Sequence, residues 1–506
     1  MREWTDGRTL GARASLSLAP DQDGALCLRA CRHARVSGVE AHRQDHRNKI
    51  LYWPFCLCGV ASMLAKLRVV NVVPLDRPTR LSVPLLGLSL MQSAFESFVR
   101  GLIRQGSLEV ETPAGQRIHA GDGSGPRLGI RFRNERAQWR LLADPELAFG
   151  ELYMDGAIEI THGTLLDVLQ LTLANLAQAG EARWLSVLHS LRTHLRRFTQ
   201  YNDMLRARRN VAHHYDLDHR LYDFFLDADK QYSCAYFEHA GQSLEDAQLA
   251  KKRHLASKLL IEPGMRVLDI GCGWGGMALY LTRLCEARVT GITLSSEQLA
   301  VAMQRAQTSG LEQPPEFYLR DYRAESGRYE RIISVGMFEH VGLGYYDAFF
   351  RKIADLLTED GVAVLHTIGR PDVPSATNPF ITKYIFPGGH LPALSEIMPA
   401  IERAGLMATD IEILRLHYAD TLKEWHSRFT AHRAQIAQLY DERFCRMWEF
   451  YLSSSEASFR VGQAVNFQIQ LARKVDSVPL IRDGMMAEEG RLRARETSGR
   501  EPFVQA

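Results

Sequence analysis

A chain of 506 residues is too long for one ordinary domain and predicts two or three, with ample material for a large core. Its 61 lysines and arginines nearly balance 59 aspartates and glutamates, and the net charge of +2 excludes a global attraction to nucleic acid. Eight cysteines spread over this length form no disulfide framework, so a reducing compartment, the cytoplasm, is the expectation.

Residues 1–90 are rich in Arg, His and Cys and hold no sustained helical or strand period, which predicts a disordered extension. A native start at Met63 or Met91 is one explanation. The apolar stretch from Ile50 to Ala65 is shorter than the roughly 20 residues that span a bilayer and is broken by Pro54, so no span is expected. Cys27, Cys31, Cys56 and Cys58 lack the second well-formed pair with histidines that a zinc site needs, and no metal is expected.

From Met91 the pattern becomes globular. FESFVRGLI reads as a helix, SLEVETPAGQRIHAG as a hairpin around Pro113-Ala114-Gly115, and LGIRFRN and AQWRLLAD as further strands. With a helix from Leu165 to Leu176 they make a small α+β domain over 91–195. Between Arg192 and Arg209 six arginines and His194 meet only Asp203. That segment is either a solvated helix face or a lipid headgroup contact.

From residue 260 onward the apolar strands MRVLDIG, ARVTGITL, PEFYLRD, YERIISVGMF and GVAVLHTIG alternate with amphipathic helices. The alternation predicts βαβ units, hence an α/β fold with a parallel sheet, helices on both faces, and ligands at the carboxyl ends of the strands. Thr421 to Leu439 and Glu442 to Lys474 then read as long helices, and residues 476–506 as a tail, charged and mobile from Met485.

Val267 to Gly276 (VLDIGCGWGG) puts Asp269, Gly271, Gly273 and Gly275 at the end of the first strand, where a bulky polar ligand approaches the backbone and a side chain would block it. A tryptophan interrupts the GxGxxG spacing, so no pyrophosphate is required, and a plain structural turn is the bland alternative. The second strand ends at Thr293-Leu294-Ser295; Ser295 or Ser296 would cap the helix that carries Gln298. Asp321 closes the third strand, where its carboxylate can accept from an adenine amino group.

DIGCGWGG, GITLSSEQ and SVGMFEHVG, with NVAHHYDLDHRLYDFFLD and YSCAYF upstream and LHTIG, KYIFPGGHLP and HYADTLKEW downstream, closely resemble the cyclopropane-fatty-acid-phospholipid synthases, relatives of the mycolic acid cyclopropane synthases. The likeness spans residues 94–475. It implies a Rossmann-like class I methyltransferase domain over 196–475 with a mostly parallel seven-stranded sheet and a helical cover. It turns the three strand ends into a pocket for S-adenosylmethionine, joined by Tyr232, Ser233 and Tyr322. The small domain around YMDG resembles one found in the phospholipid-acting members, which favours an unsaturated phospholipid substrate. A homodimer and peripheral contact with the inner face of the membrane are implied in the same way.

An isolated alkene is a weak nucleophile, so the sulfonium methyl must be held in line against it. The carbocation that follows needs a water-poor cavity, aromatic faces or anions, and a base. The resemblance implies that this base is bound bicarbonate, held by Glu339, His366, Tyr418 and backbone groups of Cys234 and Ile368. Tyr418 and His366 can donate to the anion, whereas Glu339 must orient a donor or share a proton with it. The bland alternatives are a satisfied buried histidine for His366 and a capping carboxylate for Glu339.

Cys234 has no thiolate-stabilising base beside it and is given a backbone role. A late-helix cysteine of some members is matched by Ser455. His213 and His214, adjacent on a helix, point apart and are not metal ligands. Tyr215, Tyr236, Phe237, Phe338, Tyr384 and Phe386 are candidates for an acyl channel or for plain core. A methyl-branched or methylene product on the same scaffold, and a non-catalytic lipid-binding relative, are the competing readings.

Overall fold

The computed structural model describes residues 83–179 and 219–498. The cysteines from Cys27 to Cys58, Met63, the boundary at 195, the arginine-rich run, His213, His214 and Tyr215 lie outside the described residues.

Helix α1 (Val83–Leu102) begins ahead of the expected boundary, so residues 83–90 are helical rather than part of a disordered extension. Pro84 is tolerated there because the first turn leaves its N–H groups unpaired anyway. Strands β1 (Ser107–Glu111), β2 (Arg117–Ala120) and β3 (Arg127–Phe132) follow. AQWRLLAD, expected as a strand, is instead helix α2 (Glu135–Ala143), because Asn134 caps it by accepting from the Ala137 N–H at 2.9 Å. Its apolar residues Ala137 and Leu141, four apart, then share the buried face. Helix α3 (Pro145–Met154), β4 (Ile158–His162) and α4 (Leu165–Ala179) complete a four-stranded sheet in the order β2-β1-β3-β4.

The second part opens with α5 (His219–Asp223) and α6 (Leu244–Leu259). It continues as β5 (Arg266–Ile270), α7 (Gly276–Cys285), β6 (Arg288–Thr293), α8 (Ser296–Thr308), β7 (Glu316–Leu319), β8 (Tyr329–Val335), α9 (Tyr346–Leu356) and β9 (Leu357–Gly369). Then come α10 (Leu394–Arg403), β10 (Met407–Leu414), α11 (His417–Ala431), α12 (Arg433–Leu439), α13 (Glu442–Arg460), β11 (Val465–Ala472) and α14 (Asp483–Ser498). The seven-stranded sheet runs β10-β11-β9-β8-β5-β6-β7, parallel except that β11 is antiparallel to both its neighbours.

Two expectations for the C-terminal region are corrected. The helix beginning at Glu442 stops at Arg460, and residues 465–472 form β11 between β9 and β10. Val465, Phe467, Ile469 and Leu471 alternate with Asn466, Gln468 and Gln470, a period of two that no helix uses. The charged tail is also not wholly mobile, since 483–498 is helix α14 with Leu492 fully buried. Glu496 accepts from the Tyr280 hydroxyl at 2.7 Å and pairs with Arg253, and Arg495 Nη1 donates to the Leu284 carbonyl at 2.8 Å. Deleting the chain after Arg482 is expected to cost about 2–4 kcal/mol, because a buried leucine is lost and the buried Arg253 loses a carboxylate. Scanning calorimetry checks this; an unchanged Tm would show that α14 contributes nothing.

The small sheet is held to the large one through α13, which packs on α3 and α4. A Cβ at Gly150 would lie 2.4 Å from Phe380, so only glycine allows this approach. Around it Tyr153 donates to Glu449 at 3.2 Å, and Lys383 and Tyr384 donate to Glu151 at 2.7 and 2.9 Å. Among the described residues no helix is long and apolar enough to cross a membrane.

Candidate active site

The carboxyl ends of β5, β6 and β8 and the loop after β7 enclose a pocket lined by Tyr232, Ser233, Asp269, Gly271, Gly273, Thr293, Gln298, Asp321 and Tyr322. Gly275 and Ser295, expected beside them, do not line it. Gly275 takes φ +81° to open α7, with Phe317 and Ala302 against its α-carbon, and Ser295 caps α8 by accepting from the Gln298 N–H at 3.2 Å. The pocket suits a polar ligand that donates hydrogen bonds: Asp269 is 1% exposed, yet its Oδ2 has no partner. Thr293 donates to Gln298 Oε1 at 3.0 Å. Asp321 is gripped by Arg323 from Nε and Nη2 at 2.9 and 2.8 Å, leaving lone pairs for an amino group. At Gly273, with φ +55°, a Cβ would meet nothing within 4 Å, so the backbone there faces open cavity.

A second cavity of about 950 Å³ adjoins the first and shares with it Tyr232, Ser233, Gly336 and His340. All five expected catalytic residues, Cys234, Glu339, His366, Ile368 and Tyr418, line this second cavity, as does Ser455. The Ile368 N–H, implied as a donor to an anion, is engaged instead by Glu339 Oε1 at 2.6 Å. That bond fixes the Glu339 carboxyl and leaves Oε2 buried without a partner. His366 is fully buried inside β9, with Asn466 and Gln468 of β11 on its two ring nitrogens at 3.2 Å. Burial drives its pKa well below the usual histidine value, so the ring is neutral. Burial likewise pushes the Cys234 thiol far up, which removes it as a nucleophile.

Burial also raises Glu339 and Asp269 to about 7. Stability drawn from a raised carboxyl pKa is fully present below the unfolded value and is lost as pH rises through the folded one. Thermal melts of the cofactor-free protein should therefore show wild type losing stability relative to an Asp269→Asn, Glu339→Gln variant from about pH 4 up through about pH 7. A flat difference would mean that neither carboxyl is desolvated.

Of the aromatic candidates, Phe386 lines the large cavity. Phe338 is core against Tyr346, and Tyr236 is stacked between His254 and His417 at 4.2 and 4.8 Å. Tyr384 serves the contact with Glu151. The sequence reading missed Lys251, which is 1% exposed and donates to Gln231 Oε1 at 2.6 Å and Ser233 Oγ at 2.8 Å beneath the junction of the cavities. Burial pulls it down to about 8, so it remains mostly charged at neutral pH. His340, Met337 and Trp274, which line the first pocket, were missed as well. Only the SVGMFEHVG motif signalled the first two.

A family model described as mycolic acid cyclopropane synthetase matches residues 202–469. The chain belongs to that family. It is an S-adenosylmethionine-dependent methyltransferase of the cyclopropane fatty acid synthase type. A second model, a domain of unknown function, matches residues 98–179. The chain is 38% identical over 360 residues to the cyclopropane-fatty-acyl-phospholipid synthase of Escherichia coli (strain K12), covering 70% of this chain and 90% of that one. It is 36% identical to the tuberculostearic acid methyltransferase UfaA1 of Mycobacterium tuberculosis, over 65% of this chain and 79% of that one. The crystal structure of mycolic acid cyclopropane synthase CmaA1 complexed with SAH and CTAB superposes with a TM-score of 0.50 at 33% identity, covering 52% of this chain and 97% of that one.

Proposed function

We propose that the protein adds the methyl carbon of S-adenosylmethionine across the cis double bond of an unsaturated phospholipid acyl chain, and that bound bicarbonate takes the proton as the ring closes. The observation that carries this is the shape of the large cavity. It meets the cofactor pocket at Tyr232 and His340, passes Glu339, His366 and Tyr418, and continues between α1, α3 and α4 past Phe98, Leu102, Phe149 and Leu173. Its size lies at the upper end of the roughly 300–1,000 Å³ typical of ligand sites, and its walls are largely apolar, as an acyl chain requires.

S-adenosylmethionine, when bound, supplies an electrophilic methyl group. The chain's own residues then do three things. Tyr232, Tyr418 and Phe386 offer aromatic faces to a cation on the acyl chain, and the buried setting keeps water from trapping it. The Lys251 ammonium draws an anion towards the junction. Glu339, poised near 7 with Oε2 unpartnered, can share a proton with bicarbonate, while Tyr418 donates to it and neutral His366 adds no competing charge beside it.

The test is incubation with unsaturated phospholipid vesicles and methyl-labelled S-adenosylmethionine, followed by mass spectrometry and proton spectra of the labelled fatty acid. A cyclopropane one methylene heavier than the substrate is expected. A methyl-branched product, the second reading favoured by the likeness to the tuberculostearic acid methyltransferase, would keep the site and change the fate of the cation. No labelled lipid at all would overturn the proposal.

A further inference from the structure

His366 and Gln468 face each other directly across β9 and β11, and both are fully buried. Gln468 Nε2 lies 3.2 Å from His366 Nδ1, while Gln468 Oε1 accepts from Lys258 Nζ at 2.6 Å. An ammonium group only donates. The Gln468 amide therefore cannot turn over: its oxygen is held by Lys258 and its NH2 must face the ring. Nδ1 of a neutral His366 must then accept, and the ring proton sits on Nε2.

The opposite edge of the ring agrees. Asn466 Nδ2 lies 3.2 Å from Nε2, which would set two donors against each other, yet Asn466 Oδ1 is buried with no partner. With the Asn466 amide turned over, Oδ1 accepts from the Nε2–H, while the NH2 leaves a long 3.4 Å bond to the Phe467 carbonyl and takes the position without a partner. Asn466 and His366 both line the large cavity, so the Nε2 edge is the cavity edge.

Lys258 is itself fixed from the far side. It pairs with Glu412, which also takes His254 Nε2 at 2.7 Å, and His254 Nδ1 lies 3.2 Å from Glu489 of α14. We infer that Lys258 and Gln468 are positioning residues that lock His366 in the Nε2–H form, so that the ring edge it shares with Asn466 at the reacting cavity carries a proton and never a lone pair. This rests on the proposed function only in what that cavity holds; the lock itself is a property of the protein.

The test is imidazole 15N spectroscopy of the full-length protein labelled at histidine, with a His366→Gln sample to assign the signals. The wild type should show His366 with a protonated Nε2 and a bare Nδ1 at neutral pH. A proton on Nδ1, or on both nitrogens, overturns the inference without reference to turnover. Gln468→Glu replaces the facing donor by an acceptor and should move the proton to Nδ1, whereas Lys258→Arg, still purely a donor, should leave the spectrum unchanged. With the wrong tautomer kcat should fall at least about 100-fold, given that a wrong tautomer in a serine protease triad costs about 10⁴-fold. Cofactor Kd should stay within about twofold. An unmoved proton in Gln468→Glu, or a moved proton with wild-type kcat, overturns it. If Gln468→Glu does not fold, the wild-type spectrum and Lys258→Arg still decide. A locked tautomer in a protein that labels no lipid would count against the proposed function and leave the lock standing.

Discussion

Glu339→Gln is expected to lower kcat by about 10²- to 10⁴-fold, the range of a lost acid–base group, while the Kd for S-adenosylmethionine moves by less than about twofold. Glutamine preserves the volume and can still accept the Ile368 N–H through its oxygen, so the loop keeps its shape. What it lacks is a group able to hold or release a proton at Oε2, the buried atom without a partner. Glu339 lines the large cavity and not the cofactor pocket, which is why the two readouts should separate. Product formation by mass spectrometry and cofactor titration by calorimetry check the pair. A kcat near wild type would remove Glu339 from the chemistry, and a tenfold weaker cofactor would place it in the wrong cavity.

Gly271→Val should abolish cofactor binding, raising Kd by at least about 100-fold, or roughly 3 kcal/mol. Gly271 has φ +81°, a conformation that costs a residue with a β-carbon about 1–3 kcal/mol. Its added Cβ would also lie 2.8 Å from Met337, a wall of the cofactor pocket, and would drive that side chain into the ligand's space. Gly310→Val is the control, because φ there is +68° but a Cβ meets nothing within 4 Å. It should show the backbone strain as a lower Tm with cofactor affinity intact. Equal affinities in all three proteins would mean that the glycine loop is only a turn.

Much of the catalytic half was legible because its signals are local. Strand periodicity placed β5 to β9 in order, and glycines at a strand end marked where a ligand must touch backbone. Five residues scattered from Cys234 to Tyr418 converge on one cavity, as the motif resemblance implied. The errors fell where a local pattern was ambiguous or long-range pairing overrode it. Ala137 to Asp144 has too few residues for its period to separate strand from helix, and the cap at Asn134 decided it. Val465 to Ala472 alternates plainly but follows a long helix without a proline break, and only its slot between β9 and β10 makes it a strand.

The sequence by itself determined the α/β class and the glycine loop at the end of β5, because each depends on backbone geometry that neighbours in the chain already specify, while the motif resemblance alone pointed to the candidate reacting residues. The tertiary structure alone decided the protonation and orientation of those residues. Helix α6 shows why. Its AKKRHLASK run is dense in cationic side chains, yet Lys251, Lys252, Arg253 and Lys258 are all under 5% exposed. Their partners come from distant segments: Asp229 for Lys252, Glu238 and Glu496 for Arg253, Glu412 and Gln468 for Lys258. A buried charge is tolerable only beside such partners, and no local pattern announces which segments of a folded chain will supply them.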